Sequence, residues 1–108
     1  MASSFEKRRD GFESKFAHDE ELRFKATSRR NRLFGAWAAE KLGRSGSEAD
    51  AYAAEVVKSD FEEAGDEDVI RKVRGDFEAA GVHVSDDEIR QALNGFLAEA
   101  VRQIEAGA

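Results

Sequence analysis

The sequence predicts an all-α fold, namely a small four-helix bundle preceded by a mobile amphipathic N-terminal segment. The 108 residues include no Pro, and most of the nine Gly fall where turns are expected. Apolar residues make up 41% of the chain and charged residues 37%, a balance that suits one modest core with long solvated faces. The third observation is that the apolar residues recur at helical spacing in four stretches.

The first two predicted helices are joined by a turn rich in Gly and Ser. The first helix ends at Gly43, and its apolar stripe is Leu33, Phe34, Trp37, Ala38 and Leu42. The second helix starts near Ser45 or Ser47, each followed three positions later by an acidic residue, and it stops at Gly65. Its apolar stripe is Tyr52, Ala53, Val56, Val57, Phe61 and Ala64.

The last two predicted helices have clearer ends. The third starts at Asp66 and stops at Gly81, and it carries Val69, Ile70, Val73, Phe77 and Ala80. The fourth starts at a capping box formed by Ser85 and Glu88 and stops at Gly107. Its stripe is Ile89, Leu93, Phe96, Leu97, Ala100, Val101 and Ile104. Because the connections are short, consecutive helices should pack as antiparallel neighbours.

A different pattern in residues 1–19 predicts a flexible segment that is separate from the bundle of residues 20–108. On a helix, its aromatic residues lie within about 40° of one another; they are Phe5, Phe12 and Phe16. The same face then turns polar, with Glu20, Arg23, Thr27 and Arg30 before Phe34. We expect the segment to fray when free and to become helical when its rings enter a groove. Docking of the three rings onto the chain's own bundle is the alternative.

The charge is unevenly distributed along the chain. Residues 1–32 carry nine basic and six acidic side chains, a net charge of +3, whereas residues 33–108 carry eight and seventeen, a net charge of −9. An acidic body makes nucleic acid an unsuitable partner, because phosphate binding needs a dense basic surface. The clusters at 7–9 and 29–30 are either solvated charges or contacts for an acidic protein surface.

No residue pattern predicts an enzyme or a metal site. The chain has no Cys and only two His. His18 and Glu21 could share a helix face, but two ligands make a poor site, and His83 falls in a predicted turn. No phosphate-binding loop of the GxxxxGK[ST] type is present. No cofactor is expected to be required, although nucleotide binding at a helix start such as residues 43–47 stays open. Without a long apolar run or a signal sequence, we predict a cytoplasmic protein that does not insert directly into the membrane.

Several runs of the chain resemble one protein family. They are FESKFAHDEE at 12–21, FKA at 24–26, RRN at 29–31, WAAExLG at 37–43, YAxEVV at 52–57 and DFEEAG at 60–65. These runs resemble the zeta subunit of alphaproteobacterial F-type ATP synthases, a natural inhibitor of ATP hydrolysis, and the likeness covers nearly the whole chain.

This resemblance implies a four-helix bundle that stays outside the ATPase as an anchor. It also implies an inhibitory segment, here residues 5–17, that enters a catalytic interface between the alpha and beta subunits beside the gamma subunit. The corresponding contact residues are Phe5, Arg8, Arg9, Phe12, Lys15 and Phe16. The protein would then be a monomer when free and peripheral to the membrane-bound ATP synthase. The competing interpretation is a helical protein-binding adaptor with little or no inhibitory activity.

Overall fold

The computed structural model describes residues 20–60 and 66–107, which form four α-helices. In chain order they are α1 (Glu20–Lys41), α2 (Gly46–Ser59), α3 (Glu67–Ala80) and α4 (Asp86–Glu105). The described residues contain no strand, so the predicted all-α four-helix bundle is confirmed. None of these four helices is both long and apolar enough to cross a bilayer.

Hydrogen bonds confirm the predicted C-terminal end of α3 and the predicted start of α4. The C-cap Gly81 is left-handed, with φ of 71°. Its N–H donates to the carbonyl of Glu78, and the next N–H, from Val82, donates to Phe77 at 2.8 Å. This is the Schellman pattern, which satisfies carbonyls that a helix end leaves open. At the start of α4, the Ser85 hydroxyl oxygen accepts a bond of 3.1 Å from the Glu88 N–H.

The predicted end of α2 at Gly65 is wrong, because this helix ends at Ser59. The N–H of Asp60 turns back to the carbonyl of Val57, and the Ser59 hydroxyl donates to the carbonyl of Val56 at 2.7 Å. Ser and Asp compete with the helix for backbone hydrogen bonds. An Asp carboxylate is also unfavourable at the negative end of the helix dipole. The last predicted stripe residues, Phe61 and Ala64, lie outside the described residues.

The core forms around α1, which packs against both α2 and α4. Its largest members are fully buried, and each contributes about 1.5–3 kcal/mol on removal from water; they are Phe34, Tyr52, Ile70, Phe77, Ile89 and Leu93. Trp37 stacks on Phe34 at a centroid distance of 5.6 Å and meets Phe77 edge-on at 5.9 Å. These ring contacts connect α1 to α3. Tyr52 is buried in the core, and the partly buried Trp37 packs against it.

One glycine sets the spacing between α1 and α2. A Cβ atom built on Gly35 would lie 2.7 Å from the Cα of Ala53 and 3.2 Å from the Cβ of Val56. The absent side chain therefore lets the two backbones approach closely. Gly75 and Gly95 also lie inside helices, but a Cβ at either position would meet nothing within 4 Å.

Candidate partner-binding site

The six predicted contact residues of the inhibitory segment all lie outside the described residues. They are Phe5, Arg8, Arg9, Phe12, Lys15 and Phe16. What the structure does describe is the helix that follows them. Helix α1 begins at Glu20, and its first turn carries Glu20 and Glu21, where acidic side chains are favourable to the helix dipole.

Burial along α1 begins a turn and a half after its start. Residues 20–25 include no buried side chain, and Ala26 is the first that is buried. From Ala26 onward, the buried positions of α1 are Arg30, Asn31, Phe34, Gly35, Ala38 and Ala39. The first six residues of α1 therefore precede the part of this helix that packs into the core. A boundary at residue 20 between two functional units stays a prediction.

Arg30 fits neither interpretation of the 29–30 pair, namely a solvated charge or a contact for an acidic protein surface, because it is buried within the bundle. Its side chain is only 4% exposed. The guanidinium donates to Asp66 Oδ1 at 2.9 Å and to the Asn31 side-chain oxygen at 3.0 and 2.9 Å. A buried charge is tolerated when it is paired and hydrogen-bonded. The face of α1 that turns polar before Phe34 is therefore not all solvated. At Arg30 it forms an internal polar cluster that ties α1 to the start of α3.

The pKa of the Asp60 carboxyl depends on this cluster and on the carboxylates near it. Burial raises the pKa of the Asp60 carboxyl above its ordinary value, more than the hydrogen bond with Asn31 and the charge of Arg30 lower it. The charges of Asp66 and Asp68 act in the same direction as burial. Asp60 is therefore easier to protonate in the folded chain than in the unfolded chain.

A second polar cluster surrounds Tyr52 between α2 and α3. The Tyr52 hydroxyl donates to Asp76 Oδ2 at 2.7 Å, and Lys72 donates to the same oxygen at 3.1 Å. Burial, followed by the bond to Asp76, raises the pKa of Tyr52 beyond its usual range. The neutral phenol therefore serves as a structural donor and not as an acid.

The turn at residues 43–47 is the candidate position for nucleotide binding. Ser45 is the N-cap of α2, and its side chain makes no capping bond. Arg44 lies over the Tyr52 ring, with its guanidinium carbon 4.9 Å from the ring centroid. Tyr52 itself is 1% exposed, so its ring face is not open for stacking with a base. Nucleotide binding to the bundle stays a prediction.

The described residues offer no metal site. No group of three His, Asp or Glu side chains within them could hold a metal ion. His83 is exposed in the connection between α3 and α4, as the sequence predicted. His18 lies outside the described residues.

The sequence did not reveal a shallow groove between the start of α1 and the end of α4. We call it the basic groove; its lining residues are Phe24, Lys25, Ser28, Arg29, Arg32, Ile104 and Gly107. Phe24 is 59% exposed and is the most exposed large apolar side chain described. The only sequence signal was the density of Lys and Arg in residues 23–32, which does not specify where the α4 end lies.

An all-helical bundle with an exposed groove lined by cations and an apolar ring suits a protein-binding module. Comparison with known families identifies it further. The family model described as ATPase inhibitor subunit zeta matches residues 1–103, and the chain belongs to this family. Comparison with curated proteins gave no match.

A solved structure agrees with the fold. It is a solution NMR structure with 52% sequence identity and a TM-score of 0.72, and the match covers 81% of this chain and 99% of that one. Family membership supports an ATPase-inhibitory role and a regulatory, non-catalytic protein. It also implies interaction with the ATP synthase complex.

Proposed function

We propose that the chain inhibits ATP hydrolysis by inserting residues 5–17 as a helix into a catalytic alpha/beta interface of the F-type ATP synthase, near the gamma subunit. The observation that carries this proposal is the family match, which includes this segment as well as the bundle. The spacing of Phe5, Phe12 and Phe16 adds support, because one helical face would present all three rings to the same groove.

The described structure supports this proposal through α1. Its first residues carry no buried side chain, while its later turns are fixed by Phe34 and Gly35 in the core. A helix formed by residues 5–17 would be about 20 Å long at 1.5 Å per residue. Such a helix, continuing from the exposed start of α1, would reach well beyond the bundle. The bundle would then remain outside as the anchor.

The mechanism follows from the motion of a rotary ATPase. Its catalytic interfaces must open and close in turn during hydrolysis. A wedge that binds one interface state more tightly than the others shifts the population to that state and stalls the cycle. The inhibitor needs no catalytic group for this action.

The energy balance explains why both rings and charges matter. Three Phe side chains contribute on the order of 5 kcal/mol when buried. Ordering the segment opposes this gain by roughly 1 kcal/mol or more per residue. Arg8, Arg9 and Lys15 would supply steering and charge-assisted hydrogen bonds to carboxylates of the interface. Gly11 lowers the helix propensity by about 1 kcal/mol relative to Ala, so Gly11→Ala should strengthen inhibition.

The test compares the intact chain with a chain that lacks residues 1–17. Both are added to an inhibitor-free F-type ATPase, and ATP hydrolysis is followed while circular dichroism checks the helices. We expect inhibition by the intact chain alone, with the bundle folded in both. Inhibition by the shortened chain would place the activity in the bundle. Binding of both chains without inhibition by either would favour the adaptor.

A further inference from the structure

The basic groove combines apolar and cationic side chains. The exposed ring of Phe24 and the partly buried Ile104 supply its apolar part. Three cations lie around them, namely Lys25, Arg29 and Arg32. Exposed aromatic rings beside arginines are the side chains most enriched where binding energy concentrates in protein interfaces.

The two arginines of the basic groove have no ionic partner in the described part of the chain. Arg29 and Arg32 form neither an ion pair nor a ring contact with any residue of 20–60 or 66–107. The other described arginines do have partners. Arg30, Arg74, Arg90 and Arg102 bond to carboxylates, Arg44 stacks over Tyr52, and Arg23 and Arg71 also interact with other groups.

Lys25 adds a cation that is only weakly held. Its amino group lies 3.6 Å from the carboxylate of Glu21, and the two side chains are 59% and 80% exposed. An exposed pair at this distance contributes little and exchanges easily for another carboxylate. The groove therefore presents three cations, all available to an anionic partner.

We infer that the basic groove is a second docking site, which binds a carboxylate-bearing protein surface with an apolar side chain at its centre. This inference rests on the proposed function, since it assigns the partner surface to the ATPase outside its catalytic interface. In that position the groove would set the affinity of the complex. Residues 5–17 would set the degree of inhibition.

The charge of the remaining chain selects a protein partner over a lipid or nucleic acid surface. Residues 33–108 carry a net charge of −9. A membrane rich in anionic lipids, or a polyphosphate chain, would repel this body over an extended area. A local carboxylate cluster on a protein can match the groove without approaching the acidic body. Its apolar side chain would bury the Phe24 ring, a gain of about 1.5–3 kcal/mol for full burial.

The test uses charge reversal in the full-length chain with a matched control. Arg32→Glu is compared with Lys58→Glu, since Lys58 is also exposed and forms no ion pair with a described residue, but lies on α2 away from the groove lining. Phe24→Ala is compared with Leu97→Ala, since Leu97 is also an exposed apolar residue, 39% exposed on α4, and does not line the groove. Each variant is titrated into inhibitor-free F-type ATPase at two salt concentrations, and its melting temperature is measured.

We expect Arg32→Glu and Phe24→Ala to raise the half-inhibitory concentration about 10-fold, with full inhibition at saturation. The two controls should stay within about 2-fold of the original chain, and the effect of Arg32→Glu should shrink at high salt. If the original chain inhibits but the groove variants titrate like their controls, the inference is overturned while the proposed function stands. Absence of inhibition by the original chain would instead refute the proposed function.

Two other occupants of the groove give distinct results. If residues 1–19 of the same chain bind the groove, Arg32→Glu should release them and lower the half-inhibitory concentration. If the groove binds lipid, the original chain should sediment with vesicles of phosphatidylglycerol and phosphatidylcholine, and Arg32→Glu should not, with equal inhibition by both. Either result would overturn the inference.

Discussion

Gly35→Ala tests the contact between α1 and α2 on which the anchor depends. A new Cβ would lie 2.7 Å from the Cα of Ala53 and 3.2 Å from the Cβ atoms of Ala53 and Val56. Carbon atoms pack best at about 3.5–4.0 Å, so the helices must separate by roughly 1 Å. The nearest atom belongs to the backbone and cannot rotate away. Overpacking of this kind costs about 1–3 kcal/mol. This cost exceeds the gain in the free energy of unfolding from replacing a helical glycine, which is roughly 0.5–1 kcal/mol.

The assay is thermal and urea unfolding followed by circular dichroism, with Gly75→Ala and Gly95→Ala as matched controls. At both control positions the new Cβ meets nothing within 4 Å. These variants should gain roughly 0.5–1 kcal/mol, whereas Gly35→Ala should lose about 1–3 kcal/mol, or some 5–15 °C in melting temperature. If all three substitutions stabilise the chain equally, the close approach of α1 and α2 is refuted.

Three further predictions concern the polar groups of the bundle. Arg30→Ala should cost about 2 kcal/mol in urea unfolding, because it removes a buried cation that holds Asn31 and Asp66; an unchanged midpoint would refute that role. Ser85→Ala should cost about 1 kcal/mol through loss of the α4 cap, while Ser85→Asp should retain most of the stability. Asp60→Asn should raise the melting temperature at pH 7, and the gain should shrink as the pH falls through the raised pKa of Asp60, because the folded chain then protonates this carboxyl and the penalty of its charge disappears. A gain that is constant with pH would contradict this assignment.

The helices and most of their ends could be predicted because the signals are local. The Ser85 cap and the glycine after Ala80 act on backbone groups within a few residues, so the sequence alone suffices to place them. The end of α2 was missed for the opposite reason. Apolar spacing continues through Phe61 and Ala64, and spacing alone does not weigh the Ser59 and Asp60 side chains that end the helix.

The features that were missed depend on which elements meet in three dimensions. Three glycines lie inside helices, and only contact with Ala53 distinguishes Gly35 from the other two. The burial of Arg30 could not be predicted, because its partner Asp66 is 36 positions away. The basic groove likewise needs Ile104 and Gly107 from the far end of the chain. The inhibitory segment was predicted from resemblance and aromatic spacing, and its six contact residues stay predictions.

The central claim is that one part of this chain inhibits while another part holds it in place. The most direct test is a pair of measurements on Phe12→Ala and Phe16→Ala, namely inhibition of ATP hydrolysis and the melting temperature of the free chain. Phe34→Ala is the control for a core ring, since Phe34 is 0% exposed and its loss should cost about 3–5 kcal/mol. We predict that both segment variants inhibit at least about 10-fold more weakly while melting like the original chain. Loss of inhibition together with a fall in melting temperature like that of Phe34→Ala would show that these rings belong to the core.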